Sequence, residues 1–170
     1  GPVGLSQDFI DKLSKQLYSH RSNEFVSLTK NTLSKIERIL DVETATILHG
    51  SATLANEAIM AQLKGRNLNN GLVLANGEFG NRLVRETKRH GLNIECYSVG
   101  FGESFDLEVV AEKLKSGNYD FVYLVHNETS VGILNDLEEI TKIVKQNNLV
   151  LAVDAVSAVG AIKYSYKDVD

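Results

Sequence analysis

The sequence predicts an α/β fold: a doubly wound, mostly parallel sheet with helices on both faces, preceded by an N-terminal helical arm. From residue 43 onward, short apolar runs typical of buried parallel strands alternate with longer segments of helical period. Polar clusters follow four of these runs, as expected where ligands bind at the carboxyl ends of parallel strands. We therefore expect a helical arm over residues 1–42 and part of a ligand-binding domain over residues 43–170.

The arm is expected to contain two amphipathic helices. Ser6 is a suitable N-cap for the first helix, because its hydroxyl can accept a hydrogen bond from a free backbone N–H. The apolar residues of both helices recur at intervals close to the helical period. They are Phe9, Ile10, Leu13 and Leu17 in the first helix and Phe25, Leu28, Ile36 and Ile39 in the second.

The rest of the chain is expected to form βαβ units, because apolar runs of four to six residues are separated by segments that end at glycine or asparagine. The predicted strands cover 44–48, 72–75, 94–99, 121–125 and 149–153, and the predicted helices cover 53–63, 81–90, 107–114 and 137–146.

The composition limits the classes of function. The 170 residues, 43% hydrophobic and 24% charged, suffice for a substantial core. A net charge of −4 without a run of Lys or Arg argues against nucleic acids and membranes as partners. Cys96 is the single cysteine, which excludes an internal disulfide. Because the sequence shows no bilayer-length apolar run and no signal-peptide pattern, we expect a cytoplasmic enzyme or enzyme fragment.

Two of the polar clusters contain small residues at the start of a predicted helix. In the segment 49–53, HGSAT, the hydroxyls of Ser51 and Thr53 and the free N–H groups suit a phosphate, although either residue could simply cap the helix. In the segment 76–80, NGEFG, Phe79 lies between glycines, where its ring could fill the core or contact a planar ligand.

The other two clusters contain the remaining candidate residues. Asp154 ends an apolar strand, so its carboxylate needs either a protein partner or a protonated heterocyclic nitrogen of a cofactor. Thr129 and Ser130 could contact the same cofactor or cap their turn. Glu128 is a weak candidate for a general base, since no nucleophile or second carboxylate accompanies it. The four histidines lack metal-ligand spacing, so no metal site is expected.

Four motifs at these positions resemble those of the class V aminotransferases, which bind pyridoxal 5′-phosphate on the type I fold. They are GSATLANE at 50–57, NGEFGNR at 76–82, HNETSVG at 126–132 and VDAVSAVG at 153–160. Upstream, the start of the chain (Gly1–Val3) and the segment 20–25 resemble the family's opening arm. The alanine/serine–glyoxylate (or –pyruvate) branch is the most similar, followed by the aminoethylphosphonate–pyruvate branch. Cysteine desulfurases are less similar, because they have a histidine at the position of Phe79.

The resemblance implies a role for each candidate residue. Ser51, Ala52 and Thr53 would hold the phosphate, and Phe79 would stack on the pyridine ring. Thr129 would contact the side of the ring that carries the hydroxyl, and Asp154 would pair with the ring nitrogen. A small amino acid and a 2-oxo acid would be the substrates, and the enzyme would be a homodimer.

The sequence also departs from the family pattern. The family's Schiff-base lysine follows the aspartate by roughly two dozen residues, which places it beyond Asp170. Lys163 and Lys167 are too close to Asp154 to match it. The domain that would bind the substrate carboxylate is also expected to be absent. These 170 residues are thus interpreted as an N-terminal fragment, inactive alone, with no catalytic residue of its own. A lyase or desulfurase, or a non-catalytic binding or dimerisation module, remain alternatives.

Overall fold

The computed structural model describes residues 4–15 and 17–170. The chain divides into two compact units, Gly1–Ile47 and Leu48–Asp170. The motif at Gly1–Val3 lies outside the described residues. The elements, in chain order, are α1 (Gln7–Leu13), α2 (Asn23–Leu40), α3 (Ala52–Gly65), β1 (Asn70–Ala75), α4 (Glu78–Arg89), β2 (Asn93–Ser98), α5 (Leu107–Ser116), β3 (Phe121–Val125), β4 (Asn127–Glu128), β5 (Ile133–Leu134), α6 (Leu137–Gln146) and β6 (Val150–Asp154).

The first unit contains the two predicted helices, each capped by a serine. The hydroxyl of Ser6 accepts from the N–H of Phe9 at 3.4 Å, and that of Ser22 accepts from the N–H of Phe25 at 3.2 Å. Both helices are confirmed, although Leu17 lies beyond the end of α1 and is 87% exposed. Neither α1 nor α2 contains a buried residue. The apolar faces of these helices therefore remain accessible.

The second unit is built on a four-stranded parallel sheet with the order β2-β1-β3-β6. Helix α4 leads from β1 out to β2, α5 returns across β1 to β3, and α6 leads on to β6. The chain thus leaves β1 and β3 in opposite directions, which makes the gap between these two strands the topological switch point. Open α/β sheets bind ligands in the crevice at such a point.

Helices cover both faces of this sheet, as the sequence predicts. Because side chains alternate along a strand, successive residues of β1 and β3 point to opposite faces. One face packs against α3 and α4 in a cluster of Met60, Leu63, Val73, Leu83, Leu92, Phe121, Tyr123, Val125 and Ala152. Helices α5 and α6 contribute buried side chains of their own, namely Val110, Leu114, Leu137, Ile140 and Val144.

One predicted strand is wrong and two short strands were not predicted. Residues 44–48 form neither helix nor strand, and none of the described strands pairs with them. An apolar β-branched run needs a hydrogen-bonded neighbour to become a strand, and here Ile47 and Leu48 are each 45% exposed. Conversely, β4 and β5 form an antiparallel pair in which each strand has two residues, too few to give a strand signal in the sequence.

Candidate functional site

The carboxyl ends of β1, β3 and β6 meet at one edge of the sheet, and the polar clusters follow them. Asn76 and Gly77 follow β1, His126 follows β3, and Asp154 is the last residue of β6. The backbone N–H of His126 donates to the carbonyl of Asp154 at 2.8 Å, which continues the sheet pairing up to this edge. The switch point thus lies between the predicted site residues.

Asp154 is half-buried and is held by two neutral donors. The side-chain amide of Asn56 on α3 donates to Oδ2 at 2.9 Å, and the backbone N–H of Val156 donates to Oδ1 at 3.1 Å. A carboxylate has about four lone-pair positions, so both oxygens can accept a further hydrogen bond. The carboxylate is therefore fixed in position and still able to receive another N–H donor.

Glu128 holds the start of α4 and does not act as a free base. Its side chain is fully buried, and Oε2 accepts from the N–H of Gly80 at 2.9 Å. Oε1 accepts from the hydroxyl of Ser130 at 2.6 Å, while that hydroxyl accepts from the N–H of Glu78 at 3.0 Å. The N–H groups on both sides of Phe79 are therefore bound to the β4–β5 turn. Phe79 itself remains 38% exposed.

Thr129, on the same turn, is linked to the segment after β6. Its hydroxyl donates to Oγ of Ser157 at 2.6 Å, and the hydroxyl of Ser157 donates to the carbonyl of Asn127 at 2.9 Å. Thr129 is an exposed residue. This side chain does more than cap its own turn, because it joins two chain segments of the site.

The start of α3 differs from the other helix starts that have polar caps. Ser51 occupies the N-cap position but makes no side-chain cap hydrogen bond, whereas the caps of α1, α2, α5 and α6 all do. Two residues on, the hydroxyl of Thr53 accepts from Nη2 of Arg82 at 2.5 Å. The helix start therefore combines a free hydroxyl, unpaired N–H groups and a guanidinium, all of which favour an anion.

These contacts form a closed ring around the site. Helix α3 is joined to β6 through Asn56 and Asp154, and the segment after β6 is joined to the turn through Ser157 and Thr129. The turn is joined to α4 through Glu128, and Arg82 joins α4 back to α3. Each of the four linked segments carries predicted site residues, namely Ser51, Ala52 and Thr53 at the start of α3, Phe79 on α4, Thr129 on the turn and Asp154 on β6.

Specific neighbours shift the pKa values of two side chains at the ring of contacts. The buried carboxylate of Glu86, 2.6 Å from Nε of Arg82, raises the pKa of that guanidinium, and the charges of Asp154 and Glu57 act in the same direction. Burial raises the pKa of Tyr123, and the negative charge of Asp154 adds to the effect. Tyr123 therefore stays a neutral phenol and Arg82 stays a cation.

Sequence reasoning did not assign the contacts that hold this site together. Asn56, Arg82 and Glu128 bond to partners 98, 29 and 48 positions away, respectively. The one available signal was that Asn56 lies in helical register with Met60 and Leu63, on a face where a polar residue requires a partner. His126 is also buried; its Nδ1 lies 2.9 Å from the hydroxyl of Tyr166, and burial lowers its pKa.

Two lysines near the end of the chain are not part of the ring of contacts. Lys163 and Lys167 line an open groove of about 390 Å³ together with residues of α6, including Glu138, Thr141 and Lys142. Within residues 4–15 and 17–170, no group of three or more His, Cys, Asp or Glu side chains is arranged to hold a metal ion. In the same residues, no helix is long and apolar enough to cross a membrane.

The family model for aminotransferase class-V matches residues 9–170. The chain belongs to this family. Its class V relatives include alanine–glyoxylate aminotransferase 1 of Saccharomyces cerevisiae, which is 28% identical over 99% of this chain and 46% of its own length. The 2-aminoethylphosphonate–pyruvate transaminase of Pseudomonas putida is 31% identical over 86% of this chain and 40% of its own length.

The fold of this class V chain is also that of solved relatives. The crystal structure of an alanine–glyoxylate aminotransferase from Nostoc sp. superimposes with a TM-score of 0.85 at 27% identity, covering 94% of this chain and 43% of the other. The predicted doubly wound α/β class is therefore confirmed. The chain spans less than half the length of these relatives. Class V aminotransferases depend on pyridoxal 5′-phosphate.

Proposed function

We propose that the protein containing this chain is a pyridoxal-phosphate-dependent aminotransferase that moves an amino group from a small amino acid, of alanine or serine type, to a 2-oxo acid such as glyoxylate or pyruvate. Residues 1–42 would form its helical arm and residues 43–170 part of its cofactor-binding domain. The ring of contacts that joins Asp154 to the starts of α3 and α4 carries this proposal. Family membership and the identity to alanine–glyoxylate aminotransferase 1 support it.

The phosphate would bind at the start of α3. The uncapped hydroxyl of Ser51, the backbone N–H groups of Ala52 and Thr53 and the guanidinium of Arg82 offer hydrogen-bond donors and positive charge there. The helix dipole adds to this attraction. The ion pair with Glu86 on the buried side of Arg82 stabilises the charged form of the guanidinium, and its outer N–H groups can still orient an anion.

The ring of the cofactor would lie between Phe79 and the carboxyl edge of the sheet. Phe79 offers an exposed aromatic face held on both sides by backbone hydrogen bonds, and Thr129 offers a hydroxyl for the ring oxygen. Asp154 would accept the N–H of the pyridine ring and keep the proton on that nitrogen. When bound, pyridoxal phosphate supplies an electron sink for the charge that develops at the α-carbon of the substrate.

The test uses the complete protein and compares two amino donors. We expect the protein to bind pyridoxal phosphate and to transfer the amino group of alanine or serine to glyoxylate or pyruvate. Asp154→Asn keeps the size of the side chain but removes its charge, so turnover should fall by orders of magnitude while the fold persists. Asp168→Asn, an exposed change of the same chemistry, is the matched control.

The same assay separates the alternatives. Transfer from 2-aminoethylphosphonate would favour the second candidate, which the identity to the Pseudomonas putida transaminase supports. Release of sulfide or elimination products without a 2-oxo acid acceptor would indicate a desulfurase or lyase. If the protein neither binds pyridoxal phosphate nor transfers an amino group, the proposal is overturned, and a non-catalytic binding or dimerisation module is the remaining alternative.

We further propose that the protein is a cytoplasmic homodimer. The composition supports the location, since the single cysteine, Cys96, is unpaired. The arm supports the assembly, because α1 has no buried residue and the side chains of Phe9, Ile10 and Leu13 are 48%, 45% and 61% exposed. Apolar residues repeated on one helix face are typical of a surface that packs against another.

A further inference from the structure

We infer that Asn56 is a positioning residue: it links the buried phenol of Tyr123 to Asp154 and so sets the direction in which that carboxylate meets the cofactor ring. This inference rests on the proposed function. Tyr123 donates to Oδ1 of Asn56 at 2.8 Å, and Nδ2 of Asn56 donates to Oδ2 of Asp154 at 2.9 Å. Three side chains from α3, β3 and β6 thus form one chain of hydrogen bonds.

The direction of these hydrogen bonds follows from the chemistry of the groups. If the amide of Asn56 were turned over, its oxygen would face a carboxylate oxygen of Asp154, and both are acceptors. The observed orientation is therefore the only favourable one. The phenol of Tyr123 stabilises it by donating to the amide oxygen, and burial keeps that phenol protonated. The hydrogen bonds connect Tyr123 to Asp154 through Asn56.

Burial fixes the geometry of this series of hydrogen bonds. Tyr123 is fully buried in the centre of the sheet, and Asn56 is 7% exposed. Neither side chain can exchange its partner for water at low cost, because a buried polar group without a hydrogen bond is strongly unfavourable. Since Val156 holds the other oxygen through its backbone N–H, the plane of the Asp154 carboxylate has two fixed points.

A double substitution separates positioning from stability. Asn56→Leu removes both hydrogen bonds and leaves the phenol of Tyr123 without a partner, so it lowers stability and cofactor affinity together. Adding Tyr123→Phe removes the unpaired hydroxyl, and replacing both partners of the Tyr123–Asn56 hydrogen bond by apolar groups is close to neutral for folding. The half-buried carboxylate of Asp154 still lacks its donor at Oδ2. We expect the double variant to recover the part of the thermal stability that the unpaired phenol costs, while its dissociation constant for pyridoxal phosphate stays about tenfold above that of wild type, as for a lost hydrogen bond to a charged group.

The measurements are thermal unfolding without cofactor, titration with pyridoxal phosphate, and the pH dependence of the absorbance of the bound cofactor in the complete protein. In the double variant, we expect that pH dependence to shift, since Asp154 is less firmly aligned with the ring nitrogen. A dissociation constant and a pH profile that return to wild type together with stability would overturn the inference and leave Asn56 a purely structural role.

Two further variants make every outcome decisive. Thr141→Val on α6 removes a buried hydroxyl that donates to the carbonyl of Leu137 and also bonds to Tyr164, so it loses stability without removing a hydrogen bond of the ring of contacts. If the double variant stays destabilised, reduced affinity in it but not in Thr141→Val supports the inference, and equal reduction overturns it. Wild type and Asp154→Asn binding the cofactor equally would refute the proposed function itself. A loss confined to Asp154→Asn would refute the role of Asn56 alone.

Discussion

At the scale of single residues, the buried imidazole of His126, at the edge of the site, should make the stability of the fold depend on pH. Burial lowers the pKa of its imidazole, whose ring is packed edge-on against Tyr164 and Tyr166 at centroid distances of 4.9 and 5.7 Å. The unfolded chain, with a pKa of about 6.5, binds the proton more readily. The free energy of unfolding should therefore decrease as the pH falls through that value towards the lower pKa of the folded state.

We expect His126→Gln to remove this part of the pH dependence. Urea denaturation at about pH 7.5 and pH 5.5, on either side of the reference pKa, measures it. His20→Gln, a change at an exposed histidine, should leave the dependence as it is in wild type. An unchanged difference between the two pH values in His126→Gln would show that the buried imidazole does not contribute.

The roles proposed for the site residues follow from the chemistry of their residue types and from the family resemblance. The hydrogen-bond partners that hold these residues in place could not be predicted in either way. A carboxylate at the end of an apolar strand requires a hydrogen-bond donor, which singles out Asp154, but the sequence cannot say that the donor is Asn56, 98 positions away. The same limit applies to Glu128, considered as a weak general base. Its burial and the donation from the N–H of Gly80, 48 positions away, follow from tertiary packing, although the donor at its other oxygen, Ser130, is only two positions away.

At the scale of elements, the contact between Gly77 and Glu128 decides where α4 begins. A Cβ atom at Gly77 would lie 2.4 Å from Cγ and 2.5 Å from Cδ of Glu128. Both atoms belong to a fully buried side chain, so they cannot move aside without releasing the N–H of Gly80. The absence of a side chain at this position is what allows the turn and the helix to approach each other.

We expect Gly77→Ala to destabilise the fold by about 1–3 kcal/mol, the usual cost of overpacking, and to weaken cofactor binding because Phe79 moves with the helix start. Gly65→Ala is the matched control: no atom lies within 4 Å of its new Cβ, and alanine at a helical position stabilises by roughly 0.5–1 kcal/mol. Chemical denaturation measures both. Equal stability in the two variants would contradict this account of the contact.

The periodic elements were predictable because their signal is local. Helical spacing and apolar runs located α1 to α6 and strands β1, β2, β3 and β6, with differences of a few residues at the ends. Residues 44–48 have the composition of a strand, but strand formation depends on a neighbour that no local pattern reveals. The pair β4–β5 was not predicted, because only its backbone hydrogen bonds define it and the residue types give no signal for them.

At the scale of the whole molecule, the exposed apolar face of the arm predicts association. We expect the complete protein to be a dimer in light scattering, and Phe9→Glu combined with Leu13→Glu to weaken it about 100-fold or more, since each buried apolar side chain contributes roughly 1.5–3 kcal/mol. Lys12→Glu, on the same helix but at a polar position, should have a small effect. A fully active monomer at all concentrations would contradict the proposed assembly.

The last prediction concerns residues 1–170 expressed alone. Because the start of α3, the exposed ring of Phe79 and the carboxylate of Asp154 all belong to this chain, we expect it to retain affinity for pyridoxal phosphate, visible as a change in cofactor absorbance. Amino transfer should not occur with alanine, serine or 2-aminoethylphosphonate as donor. The reaction requires a lysine amine placed against the aldehyde of the cofactor. Lys163 and Lys167 instead line the groove beside α6.

Borohydride reduction followed by peptide mapping tests where the cofactor becomes attached to this chain. We expect at most scattered, substoichiometric labelling of exposed lysines, and Lys163→Arg combined with Lys167→Arg should leave the binding titration unchanged. Stoichiometric attachment to Lys163 or Lys167, accompanied by turnover, would mean that the groove residues reach the cofactor. In that case the assignment of Asp154 to the ring nitrogen would fail as well, because both lysines follow it too closely along the chain.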